Sequence, residues 1–241
     1  MTLIQQKICQ HQMLFAPASL LDQVSSDWFE PDHWRALGQL TGSAPGRGTT
    51  HFIQHQQHAW VLRHYCRGGM VGRWITDTFL YLGIARTRVW QELTLLQYMQ
   101  DLGLPCPAPV AGRVSRHGLG YRCDLITVRI PGATDAHHRL CKASLSAQQW
   151  QDIGATIRRF HDHGIYHHDL NIHNIMLDDQ QRVWLIDFDK CGRRRGNRWK
   201  AHNLSRLQRS LHKEHGKNGD YHFCMDDWQA LLSGYGQGKN V

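Results

Sequence analysis

Apolar residues recur at helical spacing through Val89, Leu93, Leu96 and Met99, and the pattern stops at Gly103 with Pro105 close behind, which predicts an amphipathic helix with an ordinary exit. Glu92 lies on that helix. A second helix is predicted where Trp150, Ile153, Ile157 and Phe160 recur, with Ser146 as its N-cap. Upstream, the period shortens to that of strands. The stretch TGSAPGRGTTHFI (41–53) places Gly42, Gly46 and Gly48 before an alternating segment, and AWVLRHY (59–65) follows a polar loop. Together they read as a hairpin with a glycine-rich entry. PVAGRV and YRCDLITVRI supply further strands, up to Pro131-Gly132. Residues 1–40 carry Phe15, Trp28, Phe29 and Trp34, with Pro17 and Pro31 among them, a composition of short elements that cover a core.

Strands therefore precede helices, which predicts an α+β chain of two lobes with no internal repeat: a strand-rich N-lobe over 1–127 and a small helical C-lobe over 128–241. A length of 241 residues suits one catalytic unit better than several independent domains.

After His163-Gly164 comes IYHHDLNIHNIMLDDQQRVWLIDFDKCG, which contains H-x-D-x-x-x-x-N at His167, Asp169 and Asn174, then I-D-F-D ending at Asp189. Such a loop aims one carboxylate, Asp169, at an acceptor hydroxyl, while the Asn174 amide five residues later offers an oxygen to Mg²⁺. The run IML, the polar DDQQ and then RVWLI form a strand-turn-strand that brings back a second carboxylate, Asp187. The combined pattern resembles the catalytic and metal-binding loops of protein-kinase-like phosphotransferases. That resemblance implies ATP as phosphoryl donor, Asp169 as the residue that orients the hydroxyl and takes its proton, and Asn174 and Asp187 as Mg²⁺ ligands. It also implies His167 as an internal support, with Asp189 where the usual D-F-G has glycine.

Such a kinase needs a cation paired with a helix glutamate to hold the nucleotide phosphates. No Lys lies between Lys7 and Lys142, so the cation is an Arg; Arg63, ending AWVLR, is the candidate and Glu92 its partner. Gly42, Gly46 and Gly48 are candidates for close backbone approach to the phosphates, although they do not keep G-x-G-x-x-G spacing.

The segments RHYCRGGMVGR (63–73), RTRVWQELTLL, GLPCPAPVAG, IPGA and NLSRLQRSL resemble, in that order, the bacterial Kdo kinase family, over about residues 30–215. Kdo is the acidic octulosonate sugar that joins lipid A to the core of lipopolysaccharide. The resemblance implies transfer of the ATP γ-phosphate to the 4-hydroxyl of Kdo on a Kdo-lipid A precursor, at the cytoplasmic face of the inner membrane.

Charge agrees with an anionic partner: 28 Lys and Arg oppose 20 Asp and Glu, for a formal net charge of +8. From Lys190 to Lys217 there are ten cations and a single acid, Glu214. Arg193, Arg194, Arg195, Arg198 and Lys200 lead this patch, which suits a sugar carboxylate and lipid phosphates. The segment GGMVGRWITDTFLYLGIARTR places Trp74, Ile75, Phe79, Leu80, Tyr81, Leu82 and Ile84 between basic flanks, a composition for a bilayer surface or for a buried element. No run is long and apolar enough to span a bilayer, and the N-terminus lacks a cleavable signal pattern. Seven scattered cysteines without C-x-x-C argue against a disulfide framework and fit a reducing cytosol.

Three alternatives stay open. The motif pair also suits aminoglycoside-type phosphotransferases, whose cationic acceptors the basic patch would repel, and the core heptose kinases of lipopolysaccharide are near relatives. A catalytically silent basic module for lipid or RNA is the non-enzyme reading. For nucleic acid the aromatics between Phe188 and Trp199 are too sparse for a stacking platform. His51, His55 and His58, or His137-His138, invite a metal, but no thiolate or H-E-x-x-H context accompanies them, so surface histidines are the simpler reading.

Overall fold

The computed structural model describes residues 3–9, 12–44, 49–66 and 77–237. Gly46, Gly48, Trp74 and Ile75 lie outside the described residues. The chain divides into two compact units, one of Met1–Asp101 with Pro107–Arg129, the other of Leu102–Cys106 with Ile130–Val241.

The first unit is built on an antiparallel sheet. In chain order it contributes β1 (Leu3–Cys9), β2 (Gln12–Pro17), α1 (Pro31–Ala36), β3 (Leu40–Ala44), β4 (Thr50–His55), β5 (His58–His64), β6 (Phe79–Leu80), α2 (Arg88–Asp101), β7 (Pro109–His117) and β8 (Gly120–Val128). The spatial order is β1-β2-β7-β8-β5-β4-β3, with β6 paired to β8. The predicted hairpin is β4–β5, in register from Thr50↔Arg63 to His55↔His58. Residues 1–40 do more than cover: β1 and β2 extend the sheet itself through β7. Leu14, Phe15 and Ala16 of β2 are consecutive and all buried, so alternation could not announce the strand.

Alternate residues of a strand face opposite sides of a sheet, and the two sides here have different tenants. On one, α2 lies so close to β7 that a Cβ on Gly112 would meet Leu93 at 2.5 Å and Val89 at 2.7 Å. On the other, Trp28, Phe29 and Trp34 from α1 and the preceding 3₁₀ turn pack on Trp60, Leu62 and Ile126. Each such buried side chain contributes roughly 1.5–3 kcal/mol.

The second unit comprises β9 (Thr134–Asp135), α3 (Ala136–Leu140), α4 (Ala147–Asp162), β10 (Ile165–Tyr166), β11 (Ile175–Leu177), β12 (Val183–Leu185), β13 (Gly192–Arg193), α5 (Arg198–Lys217) and α6 (Met225–Gln237). α4 begins with a capping box between Ser146 and Gln149. Two glycines let α4 and α6 touch backbone to backbone: a Cβ on Gly154 would stand 2.0 Å from the Leu231 carbonyl oxygen, and one on Gly234 would stand 2.0 Å from that of Gln151. The predicted strand-turn-strand is β11–β12, paired Ile175↔Leu185 to Leu177↔Val183. Asp178 ties its turn, accepting from the backbone N–H groups of Gln180 and Arg182 at 2.9 Å each.

Candidate active site

The loop between β10 and β11 carries the His167–Asp169–Asn174 pattern, and buried amides hold its shape. Asn203 on α5 is fully buried and grips His167 on both sides: its Oδ1 accepts from the His167 backbone N–H at 3.1 Å and its Nδ2 donates to the His167 carbonyl at 2.7 Å. Further along, the Asn171 and Asn174 side chains both donate to the Asp169 carbonyl, at 3.1 and 2.9 Å. Only the NH₂ of an amide can donate, so the Asn174 oxygen is turned away from that bond. Ser210 on α5 accepts from the Ile172 N–H at 3.3 Å.

The same bonds bring the returning strand alongside. Ile186 donates its N–H to the Asn174 carbonyl at 3.0 Å, and the Ile186 carbonyl lies 2.9 Å from His167 Nε2. Donation of Nε2–H to this carbonyl leaves the buried Nδ1 of His167 without a hydrogen-bond partner. Burial pushes the His167 pKa below the ordinary histidine value, so the ring is a neutral support, and the Asp169 and Asp187 carboxylates both act on it. Phe188 is buried beneath, its ring 5.0 Å from that of His167 and 5.8 Å from that of Phe160. Asp187 directly precedes it at φ +63°, a left-handed backbone that costs a residue with a Cβ about 1 kcal/mol and bends the chain out of the strand. Asp189 is half-buried two residues on.

One partner of Asp169 escaped the sequence reading. Arg206 on α5 donates from Nε to Asp169 Oδ1 at 3.0 Å, and its Nη2 donates to the same oxygen. Arg206 stands within NLSRLQRSL, but nothing in its spacing from Asp169 reveals the contact. In the basic segment, Arg193, Arg194, Arg195 and Arg198 are exposed. The Arg194 guanidinium stacks 3.4 Å above the Tyr166 ring, and Lys200 pairs with Asp162 at 3.6 Å.

In the first unit, Arg63 and Glu92 are brought together: Nη2 of Arg63 donates to Glu92 Oε1 at 2.6 Å, and Tyr65 donates its hydroxyl to Glu92 Oε2 at 2.5 Å. Glu92 is buried, whereas Arg63 is only partly so. Gly42 lies on β3, opposite Phe52 at a register irregularity. His64 points to the other face of the sheet. There Asp124 accepts from Arg113 Nε at 2.8 Å and lies 2.6 Å from His64 Nδ1, while Arg113 also donates to Glu30 at 2.6 Å. These groups line a cavity of about 430 Å³.

The chain is similar to known proteins in sequence and in fold. The lipopolysaccharide kinase (Kdo/WaaP) family matches residues 31–235. The chain belongs to this family. It is therefore a phosphotransferase of lipopolysaccharide biosynthesis, with ATP as the donor that kinase chemistry implies. Among similar curated proteins, the 3-deoxy-D-manno-octulosonic acid kinase of Photobacterium profundum is 43% identical over 95% of this chain and 98% of its own length. That of Vibrio cholerae serotype O1 is 44% identical over 93% of this chain and 94% of its own. A solved structure, "WaaP in complex with acyl carrier protein", shares the fold at TM-score 0.57 and 15% identity, covering 93% of this chain and 88% of that one. The α+β, protein-kinase-like architecture expected of this lipopolysaccharide kinase is thus the one it has.

Proposed function

We propose that this kinase phosphorylates the 4-hydroxyl of Kdo on a Kdo-lipid A precursor. Support for the acceptor comes from the relatives, which are named 3-deoxy-D-manno-octulosonic acid kinases at 40–44% identity over most of the chain. Support for the chemistry comes from one observation above the rest: Asp169, Asn174 and Ile186-Asp187 are stitched into one hydrogen-bonded unit, with the Asn174 amide oxygen directed away from the stitch.

In this reading Asp169 orients the acceptor hydroxyl and takes its proton as the sugar oxygen forms its bond to the γ-phosphorus and the bond to the ADP oxygen breaks. Asn174 and Asp187 hold Mg²⁺: an amide oxygen and a carboxylate are the hard oxygen donors this cation prefers. Bound there, Mg²⁺ supplies charge stabilisation to the phosphates. His167 fixes the loop against Ile186, and Asp189 serves as a supporting acid beside the metal ligands. Arg63, oriented by Glu92, offers its guanidinium to nucleotide phosphate, and the backbone of Gly42 on β3 is the candidate for close approach to the phosphates. Arg193, Arg194, Arg195, Arg198 and Lys200 form the basic surface for the acidic sugar and lipid phosphates.

Peripheral attachment to the cytoplasmic face of the inner membrane completes the proposal. Leu80, Leu82 and Leu119 are 60%, 57% and 84% exposed, an arrangement suited to a bilayer interface. Replacing all three by Ser should reduce sedimentation with anionic liposomes; undiminished sedimentation would remove these leucines from the attachment.

The reaction itself is tested with ATP, Mg²⁺ and Kdo-lipid A. Asp169→Asn should lower kcat by about 10²–10⁴-fold with the fold intact. Wild-type rates from that variant, or preference for a heptose acceptor over Kdo, would sink the proposal.

A further inference from the structure

Three metal-ligating side chains that are far apart in sequence meet in the second unit, and the kinase reaction does not use them. His137 lies on α3, His173 in the loop just before Asn174, and Glu214 near the end of α5; one donor atom from each lies within 4.8 Å of the others. The two imidazole rings are 4.1 Å apart between centroids, and His173 Nε2 is 3.6 Å from Glu214 Oε1. Two imidazoles this close repel when both are protonated, whereas a shared cation would join them.

The surroundings suit a ligand set. Tyr221 is buried with its hydroxyl 3.3 Å from His137 Nδ1, so a proton at Nδ1 donated to the phenol oxygen leaves the Nε2 lone pair for a cation. Cys141 Sγ lies 3.7 Å from that Nε2. Lys217 now occupies Glu214, with Nζ 2.8 and 3.0 Å from its two oxygens, but the lysine side chain is 55% exposed and can swing into solvent. His173 is 47% exposed, leaving it room for the small rotation that would draw the donors to roughly 2.0–2.2 Å from one ion.

The geometry points to a zinc-class divalent metal site formed by His137, His173 and Glu214, distinct from the Mg²⁺ ligands proposed above. Two imidazoles and one carboxylate favour Zn²⁺ or Co²⁺ over Mg²⁺ and Ca²⁺, which prefer all-oxygen shells. An ion there would tie the loop bearing Asn174 to α3 and α5 at once. Because its ligands are not those of the phosphoryl-transfer reading, the site stands or falls independently of the acceptor.

The test is binding of the metal alone to the full chain, by calorimetry with Zn²⁺ and by visible absorption with Co²⁺, with Mg²⁺ and Ca²⁺ as controls. Wild type should hold about one more equivalent of Zn²⁺ than His173→Ala and His137→Ala, give the absorption of tetrahedral Co²⁺, and melt at a higher temperature with Zn²⁺ than without. Lys217→Met should tighten binding by freeing Glu214. His173→Ala replaces an exposed ring, so melting without metal checks that it folds as wild type does. Equal Zn²⁺ stoichiometry in wild type and both histidine variants, or equal occupancy by Mg²⁺, would overturn the site.

Discussion

In the strand-rich unit, buried polar groups are fixed by opposite charge: Arg63 on Glu92, and Arg113 with His64 on Asp124. In the helical unit Arg206 pairs with the Asp169 carboxylate, but the backbone of that loop hangs on uncharged amides, with Asn203 bonded to both backbone groups of His167 and Asn171 and Asn174 bonded to the Asp169 carbonyl. The difference teaches how each region resists perturbation. A charged pair tolerates some change of geometry but answers to salt and protonation, whereas amide-to-backbone bonds ignore charge and fail when one atom is missing.

The sharpest way to break the comparison is Asn203→Ala. It strands the N–H and carbonyl of His167 in a buried site, and should cost about 3 kcal/mol of stability, seen in denaturant melts, with loss of activity. A variant as stable as wild type would show that the amide grip is incidental.

Next in size is pH, where one histidine in each unit should respond with opposite sign. His161 is buried between the Tyr235 hydroxyl at 2.8 Å and Asn203 Oδ1 at 3.3 Å, and burial pushes its pKa from 6.5 down to about 4. Between those values the unfolded chain binds the proton more readily, so stability is full above pH 6.5 and falls as pH drops toward 4, by on the order of 3 kcal/mol. His64 is the reverse. Its hydrogen bond to Asp124 outweighs burial and raises its pKa above 6.5, so its contribution is complete below pH 6.5 and is lost as pH rises through the raised value. Thermal melts across pH should show both limbs, with His64→Gln flattening only the alkaline one; an unchanged alkaline limb would contradict this account.

The smallest effect concerns the charged pair as a nucleotide grip. Arg63→Ala should raise the KM for ATP by about tenfold, or about 1.4 kcal/mol, and unchanged kinetics would remove Arg63 from that role.

Much of this was legible because it is local. Helix α2 follows from Val89, Leu93, Leu96 and Met99, α4 from its own period and the Ser146 cap, and β11–β12 from two apolar runs about the DDQQ turn. Neighbouring residues carry those signals. β2 was missed because Leu14, Phe15 and Ala16 are buried on both faces and do not alternate. On α5, Trp199, Asn203, Leu207, Leu211 and Glu214 are buried together, yet the two polar members break the apolar stripe from which a helix face is read. Arg206 belongs to the basic segment that suits a sugar carboxylate and lipid phosphates, yet its guanidinium lies on Asp169.

The linear chain by itself determined the chemistry on offer: the spacing of Asp169, Asn174 and Asp187, the lack of any Lys between Lys7 and Lys142, and the surplus of positive charge, since each depends only on which residues occur and how far apart they stand. Tertiary structure alone decided which of those groups meet. Asn203 with His167, Arg206 with Asp169, and His137 with His173 and Glu214 are separated by tens of residues and joined by helix packing. No local pattern encodes such meetings, because a side chain's partner across a core is chosen by the backbone positions that burial of other residues imposes.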